Sequence, residues 1–164
     1  MKAIWALLWL PLPAVLSAQA PGPGAEVPTL ALTTRGAFFA LSVPDLDASS
    51  RWYSDKLGLK VVMRVPRTDQ AAVTVLEGGG LIVELIQHDG ALSLSRAAPA
   101  AKDRLMIHGL FKAGVIVDQF DQALELLRAR GVEFAIGPFP ARPGQRANVI
   151  IKDNAGNLIQ IFGN

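Results

Sequence analysis

The chain has 164 residues, with 16 Lys and Arg against 14 Asp and Glu, no cysteine, and 51% hydrophobic residues. This length accommodates one domain with a sizeable core, and the apolar content excludes wholesale disorder. The missing cysteine excludes disulfides, thiolate catalysis and cysteine-ligated zinc or iron–sulfur sites. Because Lys and Arg form no clustered run, the composition also argues against nucleic-acid binding.

The first twenty residues have the pattern of an export signal. Lys2 supplies a short positive start, and an almost continuous apolar stretch over 3–16 follows it. Residues 18–20 read Ala-Gln-Ala, which is a small-x-small cleavage site. The apolar stretch is shorter than the roughly 20 residues of a membrane-spanning helix, and prolines interrupt it. We therefore predict a signal peptide over 1–20, a secreted or periplasmic protein, and no stable membrane anchor after processing.

A first folding unit follows a Pro- and Gly-rich segment over 21–35, which we predict to be a linker. An apolar run over 38–43 has the length of a strand. Asp45 or Asp47 is suited to accept hydrogen bonds from the first turn of a helix that ends at Gly58. Three strand candidates then follow, at 59–65, 71–77 and 81–87.

The same order of elements recurs after a connector. The second copy has a strand candidate at 110–117 and a helix that begins at Asp118 and ends at Gly131. The sequence Val-Pro-Asp-Leu-Asp from Val43 and the sequence Val-Asp-Gln-Phe-Asp from Val117 lie 74 residues apart, which indicates two copies of one βαβββ unit. We expect modules over 36–90 and 105–163 to pack around a cleft that is the default ligand site. The last three strand candidates are at 132–136, 146–152 and 157–162.

Two segments resemble the vicinal oxygen chelate superfamily, the group of glyoxalases, bleomycin resistance proteins and extradiol dioxygenases. They are FFALSVPDLDASSRWYSDKLGLKVV, from residue 38, and VIIKDNAGNLIQIFG, from residue 149. The resemblance covers about 37–163. It implies an α+β fold in which two βαβββ modules form a curved, half-open, eight-stranded barrel-like sheet with the helices outside. The resemblance leaves the activity open, because this fold hosts isomerases, dioxygenases, thiol transferases and pure binders.

Members of that family hold a divalent metal between the modules, with ligands on the first and last strand of each. The resemblance places these four positions at Phe38, Glu84, Lys112 and Gln160. Only Glu84 is of the usual ligand type. Phe38 has no donor atom, and Lys112 would have to lose its proton first. Gln160 offers only a neutral oxygen. We therefore expect no metal or other cofactor, and the alternative is a divalent metal at a rearranged site.

Glu84 and Lys112 each lie inside an apolar run, where a charged side chain needs a partner if it is desolvated. Our hypothesis is that both face the cleft, that the Lys112 ammonium pairs with Glu84 in place of the lost cation, and that Gln160 adds a hydrogen bond. The alternative is that both side chains point to solvent on the outer faces of the sheets.

Other residues are weaker candidates for a functional role. His88 and His108 are the only histidines, and we interpret them as exposed residues near strand ends rather than as acid–base groups. Arg142 and Arg146 flank a Pro-Gly pair in a long loop. They are either solvated or placed to hold a carboxylate or phosphate. Tyr53, on the first predicted helix, is expected to fill the core.

Three functions remain open at this point. The first is an exported protein that binds a small-molecule ligand in the inter-module cleft without the catalytic metal of its relatives. The second is a metal-dependent lyase, isomerase or dioxygenase whose rearranged site uses Glu84. The third is a non-catalytic interaction module. Homodimer formation is also open, because modules that pair within one chain and modules that pair between two chains give the same local sequence pattern.

Overall fold

The computed structural model describes residues 36–164, so the predicted signal peptide and linker lie outside the described residues. Every helix within 36–164 falls short of the length and hydrophobicity that crossing a bilayer takes. In chain order the elements are β1 (Ala37–Ser42), α1 (Leu46–Leu57), β2 (Lys60–Val65), β3 (Ala71–Gly78), β4 (Leu81–His88), α2 (Leu94–Ala97), a short 3-10 helix (Arg104–Met106), β5 (Ala113–Val117), α3 (Phe120–Ala129), β6 (Glu133–Phe139), β7 (Asn148–Lys152) and β8 (Leu158–Gly163).

The strands form two four-stranded mixed sheets, in the orders β1-β4-β3-β2 and β5-β8-β7-β6. β1 runs parallel to β4, and β5 runs parallel to β8, whereas the remaining pairs are antiparallel. The α+β class and the two βαβββ modules are thus confirmed. The described residues form two separate sheets and no closed barrel, and β1 and β5 each lie at the edge of a sheet.

Helix α1 begins and ends where the sequence predicts. Of the two candidate caps, Asp45 is the N-cap, and its carboxylate accepts a hydrogen bond from the Ala48 backbone N–H at 2.8 Å. The side-chain oxygen of Gln87, on β4, accepts from the Leu46 N–H at 2.9 Å and so attaches the start of the helix to its sheet. Gly58 ends the helix at a φ of 74°, a conformation that glycine adopts without steric cost.

The start of the second module differs from the prediction in two places. Asp118 is not the helix cap, and its Oδ1 instead accepts a hydrogen bond from Asn164 Nδ2 at 3.5 Å. Gln119 occupies the N-cap and makes no side-chain capping bond. β5 begins only at Ala113, where its ladder with β8 begins, so Lys112 lies just before the strand rather than inside it.

The hydrophobic core joins both modules. One face of each sheet is buried together with the helices, and Tyr53 of α1 is fully buried among them, as the sequence predicts. Helix α1 packs on β3 and β4 and also contacts the second module through the Tyr53 hydroxyl, while Arg51 and Asp55 stay exposed on its outer side. The buried sheet residues are Leu76, Val83 and Leu85 in the first module and Val149, Ile151, Ile159 and Ile161 in the second.

A buried carboxylate connects α1 to the β7–β8 turn. Asp153, only 3% exposed, accepts a hydrogen bond from the Tyr53 hydroxyl at 2.9 Å. It also accepts from the Asn157 side-chain nitrogen at 2.9 Å and from the backbone N–H groups of Asn157 and Ala155 at 2.7 and 2.9 Å. The Asp-x-x-Gly-Asn turn of the second module is therefore anchored on the helix of the first.

Two further contacts cross between the modules. Asn154 Nδ2, in the same turn, donates to the Ser49 hydroxyl oxygen at 3.2 Å. At the other end of α1, Lys56 Nζ donates to the backbone carbonyl of Arg130, and Arg130 Nη1 donates to the backbone carbonyl of Lys56 at 2.9 Å. Each cation thus stabilises the negatively polarised end of the other module's helix. Lys56 and Arg130 lie 74 positions apart, which is the spacing of the sequence repeat.

The Tyr53–Asp153 bond predicts how the protein responds to alkali. Burial of the hydroxyl, together with the charge of Asp153 and the hydrogen bond to it, raises the pKa of Tyr53 far above its ordinary value. The folded state therefore holds this proton more tightly than the unfolded state. The resulting stabilisation is complete below pH about 10 and is lost as the pH rises above that value. Tyr53 is the single tyrosine, so tyrosinate absorbance reports on it alone.

We expect no tyrosinate absorbance from the folded protein until alkali unfolds it. The chain unfolded in guanidinium is the control and should titrate near pH 10. Tyr53→Phe keeps the ring and removes one of the donors to the buried carboxylate, so it should lower the free energy of unfolding by about 1–3 kcal/mol. A folded protein that titrates in the ordinary range of tyrosine would contradict the assignment.

Candidate functional site

Each sheet has a second face that points away from the buried core. In the first sheet, Phe38 lies opposite Ile82 and Ala40 lies opposite Glu84 in the β1–β4 ladder, so these four residues share one face. Val83 and Leu85, which alternate with Ile82 and Glu84 along β4, face the core. We call this surface the first open face. Phe38 is 62% exposed on it.

The second open face is the corresponding surface of the second sheet. In the β5–β8 ladder Gly114 lies opposite Gln160 and Ile116 opposite Phe162, and in the β7–β8 ladder Asn148 also lies opposite Phe162. These residues alternate with the buried Ile159 and Ile161 and therefore point away from the core. Ile116, on the edge strand, is 62% exposed.

Three of the four positions predicted from the sequence lie on the open faces. Phe38 and Glu84 lie on the first and Gln160 on the second, while Lys112 precedes β5, with its Nζ 5.6 Å from the Phe111 ring centroid. Glu84 is half-buried. Within residues 36–164, the ion pairs are Arg64–Asp47, Arg67–Asp89 and Lys152–Glu133. Lys112 and Glu84 therefore form no ion pair with each other within one chain. The hypothesis that these two residues pair stays a prediction.

Gln160 has a fixed orientation. Its Nε2 donates to Asn148 Oδ1 at 3.0 Å, and Asn148 Nδ2 in turn donates to the backbone carbonyl of Arg146 at 3.1 Å. This short chain of hydrogen bonds connects β8 to β7 and to the loop before it. The sequence did not point to Asn148, although the alternation of β7 identifies it as a residue of the second open face.

The donor set at these positions does not fit a divalent metal. Phe38 has no donor atom, Lys112 is a cation, and Gln160 offers only a neutral amide oxygen. Glu84 alone offers an anionic ligand, whereas Zn, Ni and Fe sites need several imidazole, carboxylate or thiolate ligands. The described part of the chain contains no cluster of three or more His, Asp or Glu side chains that could hold an ion.

The two histidines do not come together. His88 is the last residue of β4, and its Nδ1 accepts a hydrogen bond from the Gly90 backbone N–H at 3.0 Å, which stabilises the turn that follows. His108 is exposed in the connector between the modules. Their places near strand ends agree with the interpretation from the sequence.

Four of the cavities on the surface of residues 36–164 bear on the site. Phe38 and Ile82 line one of about 670 Å³ on the first module. A second, of about 560 Å³, lies between α3, β5 and the β3–β4 turn, and a third, of about 610 Å³, lies beside the start of α3. The fourth, of about 550 Å³, opens on the second open face. None of the four is lined by Glu84, Lys112 or Gln160.

The fourth cavity is lined by two residues that were candidates from the sequence and by others that were not. Arg142 and Arg146, which flank the Pro-Gly pair in the loop, both line it. Phe139 and Phe162 contribute aromatic walls and were not singled out from the sequence. Phe162 lies two residues after Gln160 on β8 and faces the same way, so strand alternation is the signal that identifies it. The remaining lining residues are Pro140, Gln145 and Asn148.

Comparison with known proteins identifies relatives of this arrangement. Residues 36–161 match the model of the Glyoxalase/Bleomycin resistance protein/Dioxygenase superfamily. A comparison with curated proteins finds no significant match.

Solved structures with the same fold include a glyoxylase/bleomycin resistance protein/dioxygenase domain from Frankia sp. EAN1pec. It is 23% identical, has a TM-score of 0.62, and aligns over 82% of this chain and 99% of its own. TioX from Micromonospora sp. ML1 is 19% identical, with a TM-score of 0.58 and coverages of 78% and 97%. The trypanothione-dependent glyoxalase I of Leishmania major is 19% identical, with a TM-score of 0.55 and coverages of 80% and 87%.

Proposed function

Because the chain belongs to the Glyoxalase/Bleomycin resistance protein/Dioxygenase superfamily, we propose that it is an exported member that binds a small molecule on its open faces without a catalytic metal. The observation that carries the proposal is the donor set at the family's ligand positions. Phe38, which cannot coordinate a metal, lies on the same face as Glu84, the one anionic side chain of the set. These positions offer apolar contact and hydrogen bonding rather than a coordination sphere.

The open faces have the chemistry of a small-molecule site. On the first, the exposed ring of Phe38 and the side chain of Ile82 lie beside the half-buried Glu84. On the second, Ile116 and Phe162 lie beside the oriented amide of Gln160. Binding sites are mostly apolar, with a few placed polar groups that fix the orientation of the ligand. Either face alone is open to solvent, and a ligand would be enclosed only if the two met.

Our proposal includes a second copy of the chain as the structure that encloses the ligand. The Tyr53–Asp153 bond holds the modules together on their buried sides, and the open faces lie on the opposite sides of their sheets. The edge strands β1 and β5 expose Phe38 and Ile116. In a homodimer, the first open face of one copy would meet the second open face of the other. Glu84 would then approach Lys112 and Gln160 of the second copy.

Metal analysis tests the absence of a catalytic metal. The full-length chain is expressed, and the exported product is incubated with Zn²⁺, Ni²⁺, Mn²⁺ or Fe²⁺, desalted and analysed. We expect well below one metal per chain, and the same content in Glu84→Gln, because one carboxylate is too small a donor set. Stoichiometric metal that is lost in Glu84→Gln would overturn the proposal and favour the lyase, isomerase or dioxygenase alternative.

Oligomeric state tests the role of the second copy. We expect the protein to be a dimer by light scattering at micromolar concentration and Ile116→Asp to be monomeric, because the substitution places an unpaired charge in the apolar interface. Leu92→Asp is the matched control. Leu92 lies in the connector after β4, outside both sheets, and is 57% exposed, so this variant should stay dimeric. A wild-type protein that is monomeric at micromolar concentration would contradict this part of the proposal.

Export is tested by the N-terminus of the product. The full-length chain, expressed in a bacterium with a general secretion pathway, should appear in the periplasmic or secreted fraction with Pro21 as its first residue. Replacing Ala18 and Ala20 with arginine removes the small residues of the cleavage site and should leave the leader attached. Wild-type protein found in the cytosolic fraction with its leader intact would contradict the proposal.

A further inference from the structure

The cavity of about 550 Å³ on the second open face contains two positive charges and no negative one. Arg142 and Arg146 line it, and its lining includes no Asp or Glu. Neither arginine takes part in the three ion pairs found among residues 36–164. The Arg142 and Gln145 backbones exchange hydrogen bonds at 2.8 and 3.0 Å, which closes a tight turn between the two arginines. The turn thus places two guanidinium groups at one cavity.

Two phenylalanines also line this cavity. Phe162 lies on β8 and Phe139 at the end of β6. A Cβ atom at Gly137 would lie 3.1 Å from the Phe139 ring, and Gly137 has a φ of 89°, so the glycine allows the ring to pack close to the backbone. Two phenyl rings and Pro140 provide flat apolar surfaces on which a planar ring can stack.

Hydrogen bonds connect this cavity to Gln160. Asn148 lines the cavity, donates to the Arg146 carbonyl and accepts from Gln160 Nε2. The backbone of one of the two arginines is therefore fixed to the strand that holds the predicted ligand-binding position. The cavity volume lies within the range of ordinary small-molecule sites, about 300–1,000 Å³.

We propose that this cavity binds the anionic group of a planar aromatic small molecule. The guanidinium groups of Arg142 and Arg146 donate charge-assisted hydrogen bonds to a carboxylate, sulfonate or phosphate, and the rings of Phe139 and Phe162 contact the aromatic part. The inference rests on the proposed small-molecule function and narrows its ligands to aromatic anions.

A matched pair of dyes tests the inference on the exported full-length product. 8-Anilinonaphthalene-1-sulfonate and N-phenyl-1-naphthylamine share the same rings and differ in the sulfonate. We expect the double variant R142Q/R146Q to bind the sulfonate dye about tenfold more weakly or worse, because it loses two charge-assisted contacts, and to bind the neutral dye within about twofold of wild type. The control variant R51Q/R96Q removes two charges from α1 and α2, outside all four cavities, and should bind both dyes as wild type does.

Each other outcome has a defined meaning. Equal affinity of wild type and R142Q/R146Q for the sulfonate dye would overturn the inference and leave the proposed function standing, because binding persists. An equal loss of affinity for the sulfonate dye in R51Q/R96Q would show that net charge alone causes the effect, and this result would also overturn the inference. Oligomeric state is measured on the same samples, and a double variant that loses the dye only because it dissociates would also count against the site. Failure of wild type to bind either dye saturably would count against both the site and the proposed function.

Discussion

The buried carboxylate of Asp153 determines how the two halves of this chain fit together. It accepts hydrogen bonds from its own turn and from the phenol of Tyr53, on the helix of the other module. A charge buried at this depth is tolerated only when several donors surround it, so the turn and the helix must be in place together. The helix of the first module is thereby attached to the turn of the second.

That arrangement has a direct consequence for the functional surface. With the helices and one face of each sheet committed to the core, the remaining faces are the ones available to a ligand. The repeat has diverged at one position of this surface: where the first module has Phe38 on its open face, the second has Lys112, 74 positions later and just before β5. A phenyl ring has no donor atom and an ammonium has no lone pair, so neither of these equivalent residues can bind a metal.

The sequence predicts most of the fold because its signals are local. Asp45 and Gly58 set the limits of α1 within a few residues of themselves, and the structure has both in those roles. Asp118 has the same local signal, yet Gln119 occupies the N-cap, and the Asp118 carboxylate accepts from Asn164, which is distant in sequence. The candidate site is less predictable than the fold, because its geometry depends on the folded chain and not on local signals alone. Periodicity places Phe38 and Glu84 on one face, but only the folded turn brings Arg142 and Arg146 to a single cavity.

The crossed contact between Lys56 and Arg130 bears on how such a duplicated protein can change over time. Both acceptors are main-chain carbonyls, which no substitution removes. Each contact therefore requires a cationic donor at one position but no particular side-chain chemistry at the residue whose carbonyl accepts. The two modules can therefore acquire different surfaces and different ligands while the hydrogen bonds between Lys56 and Arg130 are retained.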